Sequence, residues 1–244
     1  MVGYQNKGFE NSGYNIAANT FVPVGVEKGE VTLGSITPSG TWEDSSISFM
    51  TAGGATAKVT FKGNQVAAKY VYWPADWEPE DGAGWYLYAD DDATVNQNIV
   101  VLPFGNGFLV QRAESGATLT YAGEVSTEPM TVQFPNNGYN ICGNCSPVDI
   151  TLGDITPAGT WEDSSISFMT AGGATAKVTF KGNQVAAKYV YWPADWEPED
   201  GAGWYLYADD DATVNQNSVV LTAGEGFLVQ RAESGAMLTI PSAL

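Results

Sequence analysis

Histidine is absent from this chain of 244 residues. Histidine is the commonest general base and the commonest zinc ligand in proteins. Its absence removes every Ser–His and Cys–His nucleophile system and the usual ligand of a catalytic zinc ion. We therefore expect a protein that is not an enzyme.

Basic residues and long apolar runs are also scarce. Lys and Arg total 10 against 28 Asp and Glu, a formal net charge of −18. Such a surface repels nucleic-acid phosphates and anionic lipids, so nucleic acid is not an expected partner. No run of 18 apolar residues is present, and membrane insertion is not expected.

The expected location is extracellular or at the cell surface, because low charge content (16%) and 28 glycines suit a secreted β protein. Residues 1–8 lack the apolar core of an export signal. Either that signal has been trimmed, which we favour, or the protein is not exported by that route.

Only two cysteines occur, Cys142 and Cys145, in the spacing C-x-x-C. A redox or zinc motif of this kind begins a helix or recurs as a second pair, whereas here it follows a predicted strand. The first half of the chain has Ala17 and Thr20 at the corresponding positions. We expect a local disulfide in an oxidising compartment; the alternative is a pair of free, partly buried thiols.

The chain contains a long internal duplication. Thr41–Asn98 recur unchanged as Thr160–Asn217, an offset of 119, and residues 107–117 recur as 226–236. Residues 13–16 also match residues 138–141, at an offset of 125. The sequence therefore predicts two tandem modules, 1–124 and 125–244, each long enough for its own core. Two interchangeable copies favour a protein that presents the same surface twice.

The pattern of apolar residues and turns predicts an all-β chain. Short alternating or fully apolar runs are separated by Gly-rich turns every 8 to 12 residues, and no segment shows a capped helical stripe. The predicted strands of the first copy are 14–19, 31–37, 46–51, 57–61, 68–73, 84–89, 98–102, 108–112 and 117–121. We expect two near-identical antiparallel β-sandwich or squat β-barrel modules.

Three short motifs carry a family resemblance: Gly-Tyr-Asn-Ile at 13–16, Thr-Leu-Gly-Ser-Ile-Thr-Pro at 32–38 and Gly-Phe-Leu-Val at 107–110. With them, most of each copy resembles β-rich modules that are repeated in large secreted bacterial surface proteins. The resemblance implies an extracellular, repeat-built context and no functional residues.

The strongest local signal is a pair of aromatic runs that flank an acidic loop. Tyr-Val-Tyr-Trp at 70–73 and Trp-Tyr-Leu-Tyr at 85–88 enclose residues 74–84 and recur at 189–192 and 204–207. Side chains alternate between the two faces of a strand. Tyr70 and Tyr72 therefore share one face of the first strand, and Tyr86 and Tyr88 share one face of the second. If the runs pair as a hairpin, we expect a ladder of tyrosines on one face and a Val, Leu and Trp surface on the other.

Trp77 lies between Asp76 and Glu78 in the acidic loop, where a large ring has least structural reason to be exposed. We expect sugar rings to stack on the aromatic residues while carboxylates accept hydroxyl hydrogen bonds. The alternative is that the tyrosines pack under a neighbouring strand and Trp77 pins its own loop. The candidate ligand-binding residues are Tyr70, Tyr72, Trp73, Asp76, Trp77, Glu78, Tyr86 and Tyr88, with Tyr189, Tyr191, Trp192, Asp195, Trp196, Glu197, Tyr205 and Tyr207 in the second copy.

Acidic turns provide a candidate metal site. Asp90 and Asp92, with Asp209 and Asp211 in the second copy, offer oxygen ligands of the kind calcium prefers. No EF-hand spacing is present, and the alternative is a solvated turn. A pair of carboxylates in a glycosidase would need a deep cleft, which we do not expect here.

Two functions remain open from the sequence. In the first, each module is a non-catalytic unit that binds a polysaccharide or surface protein, and duplication supplies avidity. In the second, the chain is a spacer or subunit of a surface fibre that self-associates through aromatic faces and edge strands, including residues 1–9.

Overall fold

The computed structural model describes residues 2–9, 13–22, 31–39, 46–50, 59–61, 64–88, 90, 92–102, 105, 107–112, 117–133, 138–159, 165–169, 178–180, 183–231 and 237–242. Within these ranges the fold is all-β, as predicted, and contains no helix of seven or more residues. The described part of the chain also has no helix with the length and apolar character needed to cross a membrane.

The described residues of the first half form eleven strands. They are β1 (Val2–Phe9), β2 (Gly13–Ala18), β3 (Val31–Thr32), β4 (Ile36–Ser39), β5 (Ser46–Met50), β6 (Val59–Phe61), β7 (Asn64–Trp73), β8 (Gly84–Leu87), β9 (Val101–Leu102), β10 (Gly107–Arg112) and β11 (Ala117–Glu124). One sheet has the order β1–β11–β4 and a larger one the order β2–β10–β5–β7–β6, with β8 also paired to β7. A two-stranded sheet joins β3 to β9.

The second half repeats this order strand for strand. Its strands are β12 (Met130–Gln133), β13 (Gly138–Gly143), β14 (Ile150–Thr151), β15 (Thr156–Ala158), β16 (Ser165–Met169), β17 (Val178–Phe180), β18 (Asn183–Trp192), β19 (Gly203–Leu206), β20 (Val220–Leu221), β21 (Gly226–Arg231) and β22 (Met237–Ile240). The sheets are β12–β22–β15, β13–β21–β16–β18–β17 with β19 on β18, and β14–β20. No sheet formed by the described strands closes on itself.

All nine predicted strands overlap observed ones. The predicted strand 31–37 is divided by a 3-10 turn at Leu33–Ser35, and three further 3-10 turns lie at Ala75–Trp77, Leu152–Asp154 and Ala194–Trp196. Strand β1 was not predicted. It pairs along its whole length with β11 of its own half and forms one edge of the three-stranded sheet.

Each half has a core built from both of its larger sheets. In the first half, Phe9 and Leu119 come from the three-stranded sheet, and Phe108 and Val110 from the six-stranded one. Phe108 and Val110 are two residues apart and therefore point to the same side of β10. Leu109 points to the opposite side, yet it is equally buried.

A contact between the two halves explains this second buried layer. Gly107 lies directly beneath the second half, because a Cβ atom placed on it would lie 2.7 Å from Cγ2 of Ile141 and 2.5 Å from the carbonyl oxygen of Cys142. Such distances do not occur for real Cβ atoms, so only glycine allows this approach. Gly226, the counterpart of Gly107, meets Cγ2 of Ile16 in the same way.

The disulfide expected between Cys142 and Cys145 is not present, since both are free and buried. Cys142 lies in β13 and its thiol donates a hydrogen bond to the carbonyl oxygen of Gly105 at 3.4 Å. Burial raises the pKa of both thiols, that of Cys145 to about 12. A buried thiol with a raised pKa is inert, which is the opposite of a redox-active cysteine.

Candidate functional site

Strands β7 and β8 pair as the predicted hairpin, but their register separates the tyrosines. Tyr70 lies opposite Leu87, and Tyr72 lies opposite Trp85. Residues directly opposite each other in an antiparallel pair share a face. The expected ladder of four tyrosines on one face is therefore wrong: Tyr70 and Tyr72 lie on one side of the hairpin, and Tyr86 and Tyr88 on the other.

The inward side of the hairpin belongs to the core. Tyr70 and Trp85 are buried, and Tyr72 packs edge-on against Trp85 with ring centroids 5.3 Å apart. The indole of Trp85 donates a hydrogen bond to the carbonyl oxygen of Ile36 at 3.2 Å. Burial raises the pKa of the Tyr70 hydroxyl. Tyr70 therefore belongs to the core of the first half, and Tyr72 is partly buried against it.

The outward side carries four aromatic residues, here called the outer aromatic strip: Trp73, Trp77, Tyr86 and Tyr88. Trp73 contacts Trp77 edge-on at 5.6 Å and Tyr86 at 6.2 Å. Tyr86 has no exposed surface and donates a hydrogen bond to the carbonyl oxygen of Gly82 at 2.5 Å. The strip thus has a buried base, Tyr86, and exposed ends at Trp77 and Tyr88.

Trp77 is held in the open by the backbone of its loop. It ends the 3-10 turn that begins after Pro74, and its own N–H donates to the Pro74 carbonyl at 3.2 Å. The next residue, Glu78, has a left-handed backbone (φ 49) that turns the chain sharply. As a result 41% of Trp77 is exposed, beside the exposed carboxylates of Asp76 and Glu78.

Tyr88 marks the other end of the strip and is 60% exposed. The ammonium group of Lys69 lies 3.8 Å from the centroid of its ring, a cation–π contact. The sequence analysis assigned no role to Lys69. Its position opposite Tyr88 follows from the register of the hairpin, which the sequence alone did not reveal.

Segment 93–98 fastens the edge of β8. The side-chain oxygen of Asn98 accepts the N–H of Trp85 at 3.0 Å, and the N–H of Gln97 donates to the Trp85 carbonyl at 2.7 Å. The carboxylate of Asp81 accepts the N–H of Asn96 at 3.1 Å. A Cβ on Gly84 would lie 2.7 Å from Nδ2 of Asn98, so this close packing requires glycine. The acidic loop is consequently held at its C-terminal end.

The carboxylate of Asp90 stabilises the turn that follows it. Its two carboxylate oxygens accept hydrogen bonds from the N–H and hydroxyl of Thr94 and from the N–H of Val95, at 2.9 to 3.1 Å. The Val95 bond is the main cause of a lowered pKa of Asp90, and Asp209 has the same arrangement. Among the residues that the structure describes, no three His, Cys, Asp or Glu side chains are grouped for a metal ion.

The second half reproduces this site. Trp192 contacts Trp196 at 5.7 Å and Tyr205 at 6.3 Å, and Lys188 lies 3.8 Å from the Tyr207 ring. Trp196 and Tyr207 are exposed to the same extents as their counterparts, and Asp195 and Glu197 are exposed beside Trp196. Tyr189 and Tyr191 belong to the inward side with Trp204.

Two preorganised aromatic surfaces rimmed by carboxylates can stack flat apolar faces and accept hydrogen bonds from donors beside them. The ring positions are set by backbone turns and edge contacts, so little side-chain entropy would be lost on binding. Comparison with known protein families, curated proteins and solved structures finds no significant match for this chain.

Proposed function

We propose that each half is a non-catalytic β-sandwich module that binds a polysaccharide, or another ligand at a cell surface, on its outer aromatic strip. The observation that carries the proposal is Trp77. Its ring is 41% exposed although the loop beneath it is fixed by Trp73, Gly82 and Asp81. The exposed part of the indole contacts nothing in the isolated molecule, whereas it suits contact with a ligand.

A sugar ring presents apolar C–H groups on one face and hydroxyl groups at its edge. The exposed ring of Trp77 suits the face, and the carboxylates of Asp76 and Glu78 suit hydroxyl donors. Two such sites in one chain would raise apparent affinity by about 10²–10⁴ where both reach the same ligand. The extracellular location remains part of this proposal.

The contact between the halves supports a binding unit over a fibre subunit. Gly107 meets Ile141, and Gly226 meets Ile16, so each half offers the other the same pair of features. A reciprocal contact of this type closes on itself, whereas a filament needs a head-to-tail contact that does not. A strictly monomeric chain by light scattering at rising concentration would agree with this view, and rods in negative stain would oppose it.

The test is a double substitution, Trp77→Ala with Trp196→Ala, assayed on a glycan array and by thermal melting. We expect polysaccharide binding to be lost while the chain stays folded. The lost edge contact lowers the free energy of unfolding by about 0.5–1.5 kcal/mol per site, beyond the loss of buried apolar area. Tyr4→Ala is the matched control, since Tyr4 is 74% exposed on β1, outside the strip. Unchanged binding by the double variant would refute the proposed site.

A further inference from the structure

The two halves meet through equivalent residues. Ile16 corresponds to Ile141 at an offset of 125, and Gly107 to Gly226 at an offset of 119. Each isoleucine lies over the glycine of the opposite half. In addition, a Cβ on Gly143 would meet the Cβ of Ala18, which is its own counterpart. A contact between counterparts occurs only near a two-fold axis, so the geometry of this face is self-complementary.

The chemistry around that axis is not symmetric. In the first half, Gln5 and Lys7 of β1 reach a polar turn of the second half: Gln5 Nε2 donates to the Ala223 carbonyl at 3.0 Å, and Lys7 Nζ donates to the Thr222 hydroxyl at 3.4 Å. Glu225, in the same turn, accepts the Thr222 N–H at 2.9 Å. Glu225 and Asp149 both act on Lys7 through their charge.

The counterpart contact is apolar. Met130 and Val132 of β12 occupy the positions of Gln5 and Lys7. They lie over Gly105, where an added Cβ would be 2.5 Å from Sδ of Met130 and 3.0 Å from Cγ2 of Val132. Around Gly105 the sequence reads Pro-Phe-Gly-Asn, against Thr-Ala-Gly-Glu at 222–225.

We infer that this face is a docking surface specific for the unlike half, and that its occupant is residues 125–244 of the same chain. A pair of two first halves would lack Glu225 at both of its contacts with Lys7, because Asn106 stands at the corresponding position of the sequence. Pairing two second halves would place Met130 and Val132 against Thr222 and Glu225 twice. One like pair loses the charge of Glu225 beside Lys7, and the other sets apolar side chains against polar ones, which is how specificity between similar partners is obtained.

The test cuts the folded chain between its two halves, so that the halves need not be expressed separately. A protease site is inserted between Thr127 and Glu128, which are exposed between β11 and β12, and the folded chain is then cleaved. We expect the two pieces to elute together at micromolar concentration. The cleaved protein is then mixed with a second cleaved sample whose first half carries a label. We expect the labelled first half to pair with unlabelled second halves and not with first halves. Separation of the pieces, or like pairs formed as readily as unlike ones, would overturn the inference.

Substitutions at Gly226 and at Lys7, each with a control variant, keep the test decisive. Gly226→Val in the cleavable chain fills the space of Ile16 and should release the halves, whereas Gly8→Val is the matched control, because a Cβ there makes one ordinary contact at 3.9 Å. Lys7→Glu should weaken the pairing by roughly tenfold or more through repulsion with Glu225 and Asp149. Lys7→Met, which removes the charge without adding repulsion, should weaken it less, and equal effects would contradict the assigned charge pairing. None of these residues belongs to the aromatic strip, so failure here would leave the proposed ligand site unaffected.

Discussion

The ring of Tyr121 packs against Phe108 in the core of the first half, with centroids 6.5 Å apart and planes tilted by 53°. Its hydroxyl is buried and has no hydrogen-bond partner among the described residues. Burial raises the pKa of this phenol, which remains protonated at neutral pH. In the second half the counterpart of Tyr121 is Ile240, an apolar residue.

We therefore expect Tyr121→Phe to stabilise the protein. Removing a buried hydroxyl that lacks a partner should raise the free energy of unfolding by about 1–3 kcal/mol. Each kcal/mol corresponds to about 2–4 °C in Tm for a chain of this length. Calorimetry on wild type and variant measures the change.

Tyr86→Phe is the matched control for that experiment. The Tyr86 hydroxyl does have a partner, the Gly82 carbonyl, so its removal should lower stability by about 0.5–1.5 kcal/mol. A loss of stability in Tyr121→Phe as large as in Tyr86→Phe would show that Tyr121 has a partner in solution.

The buried thiols predict a loss of stability at alkaline pH. Burial raises the folded-state pKa of Cys142 and Cys145, while an unfolded chain deprotonates at about 8.5. Above that pH the unfolded state loses protons that the folded state keeps. The free energy of unfolding should fall by about 1.4 kcal/mol per pH unit for each thiol, until the pH reaches the folded-state pKa.

The variant Cys142→Ala with Cys145→Thr isolates this effect, because Ala17 and Thr20 occupy these positions in the first half. Urea unfolding of wild type and variant at about pH 8 and about pH 10 measures how the stability of each depends on pH. The difference between the two proteins reports the thiols, since the tyrosines titrate alike in both. Equal pH slopes would show that the thiols are not free. Mass spectrometry under denaturing, non-reducing conditions checks for a disulfide directly.

The turn closed by Asp90 should be sensitive to acid. Its lowered pKa, caused chiefly by the Val95 N–H, means that the ionised form supports the turn above the ordinary carboxyl pKa of about 3.9. This support is lost as the pH falls through the folded-state value. We expect the amide signals of Thr94 and Val95 in NMR to shift with a midpoint below about 3.9, and to stop titrating in Asp90→Asn. A midpoint at the ordinary value would contradict the hydrogen bonds.

Calcium binding at Asp90 and Asp92, with Asp209 and Asp211, remains a proposal with a simple measurement. A cation there would have to share Asp90 with Thr94 and Val95. Binding would raise Tm with calcium concentration, and EDTA would reverse the rise. A Tm that calcium leaves unchanged would reject the site, and Asp90→Asn with Asp209→Asn should abolish any genuine rise.

Strand positions were largely predictable because alternation is a local property. The spacing of Phe108 and Val110, or of Tyr70 and Tyr72, shows which residues of one strand share a face. The hairpin of β7 and β8 was also predictable from its two aromatic runs. Its register was not, since a loop of ten residues at 74–83 allows several pairings and a shift of one residue exchanges the faces.

The two cysteines show the same limit of prediction from sequence. Cys142 and Cys145 have a spacing that a disulfide or a redox pair could use, yet β13 places Cys142 against the first half, beside Gly105. Nothing within the local sequence of either residue encodes that neighbour. Strand β1 was missed for a related reason: its polar residues pair with β11, more than one hundred residues away.

The amino-acid sequence by itself determined that the chain is all-β, that its two halves carry the same aromatic and acidic residues, and where most strands lie. These properties depend on composition, repetition and short-range alternation. Only the tertiary structure decided that Tyr70 and Tyr72 enter the core while Trp77 and Tyr88 face outward, and that Ile16 and Ile141 meet glycines of the opposite half. Those outcomes depend on cross-strand register and on packing between distant segments. Residues far apart in sequence contact each other only in the folded chain, so their contacts cannot be read from local sequence.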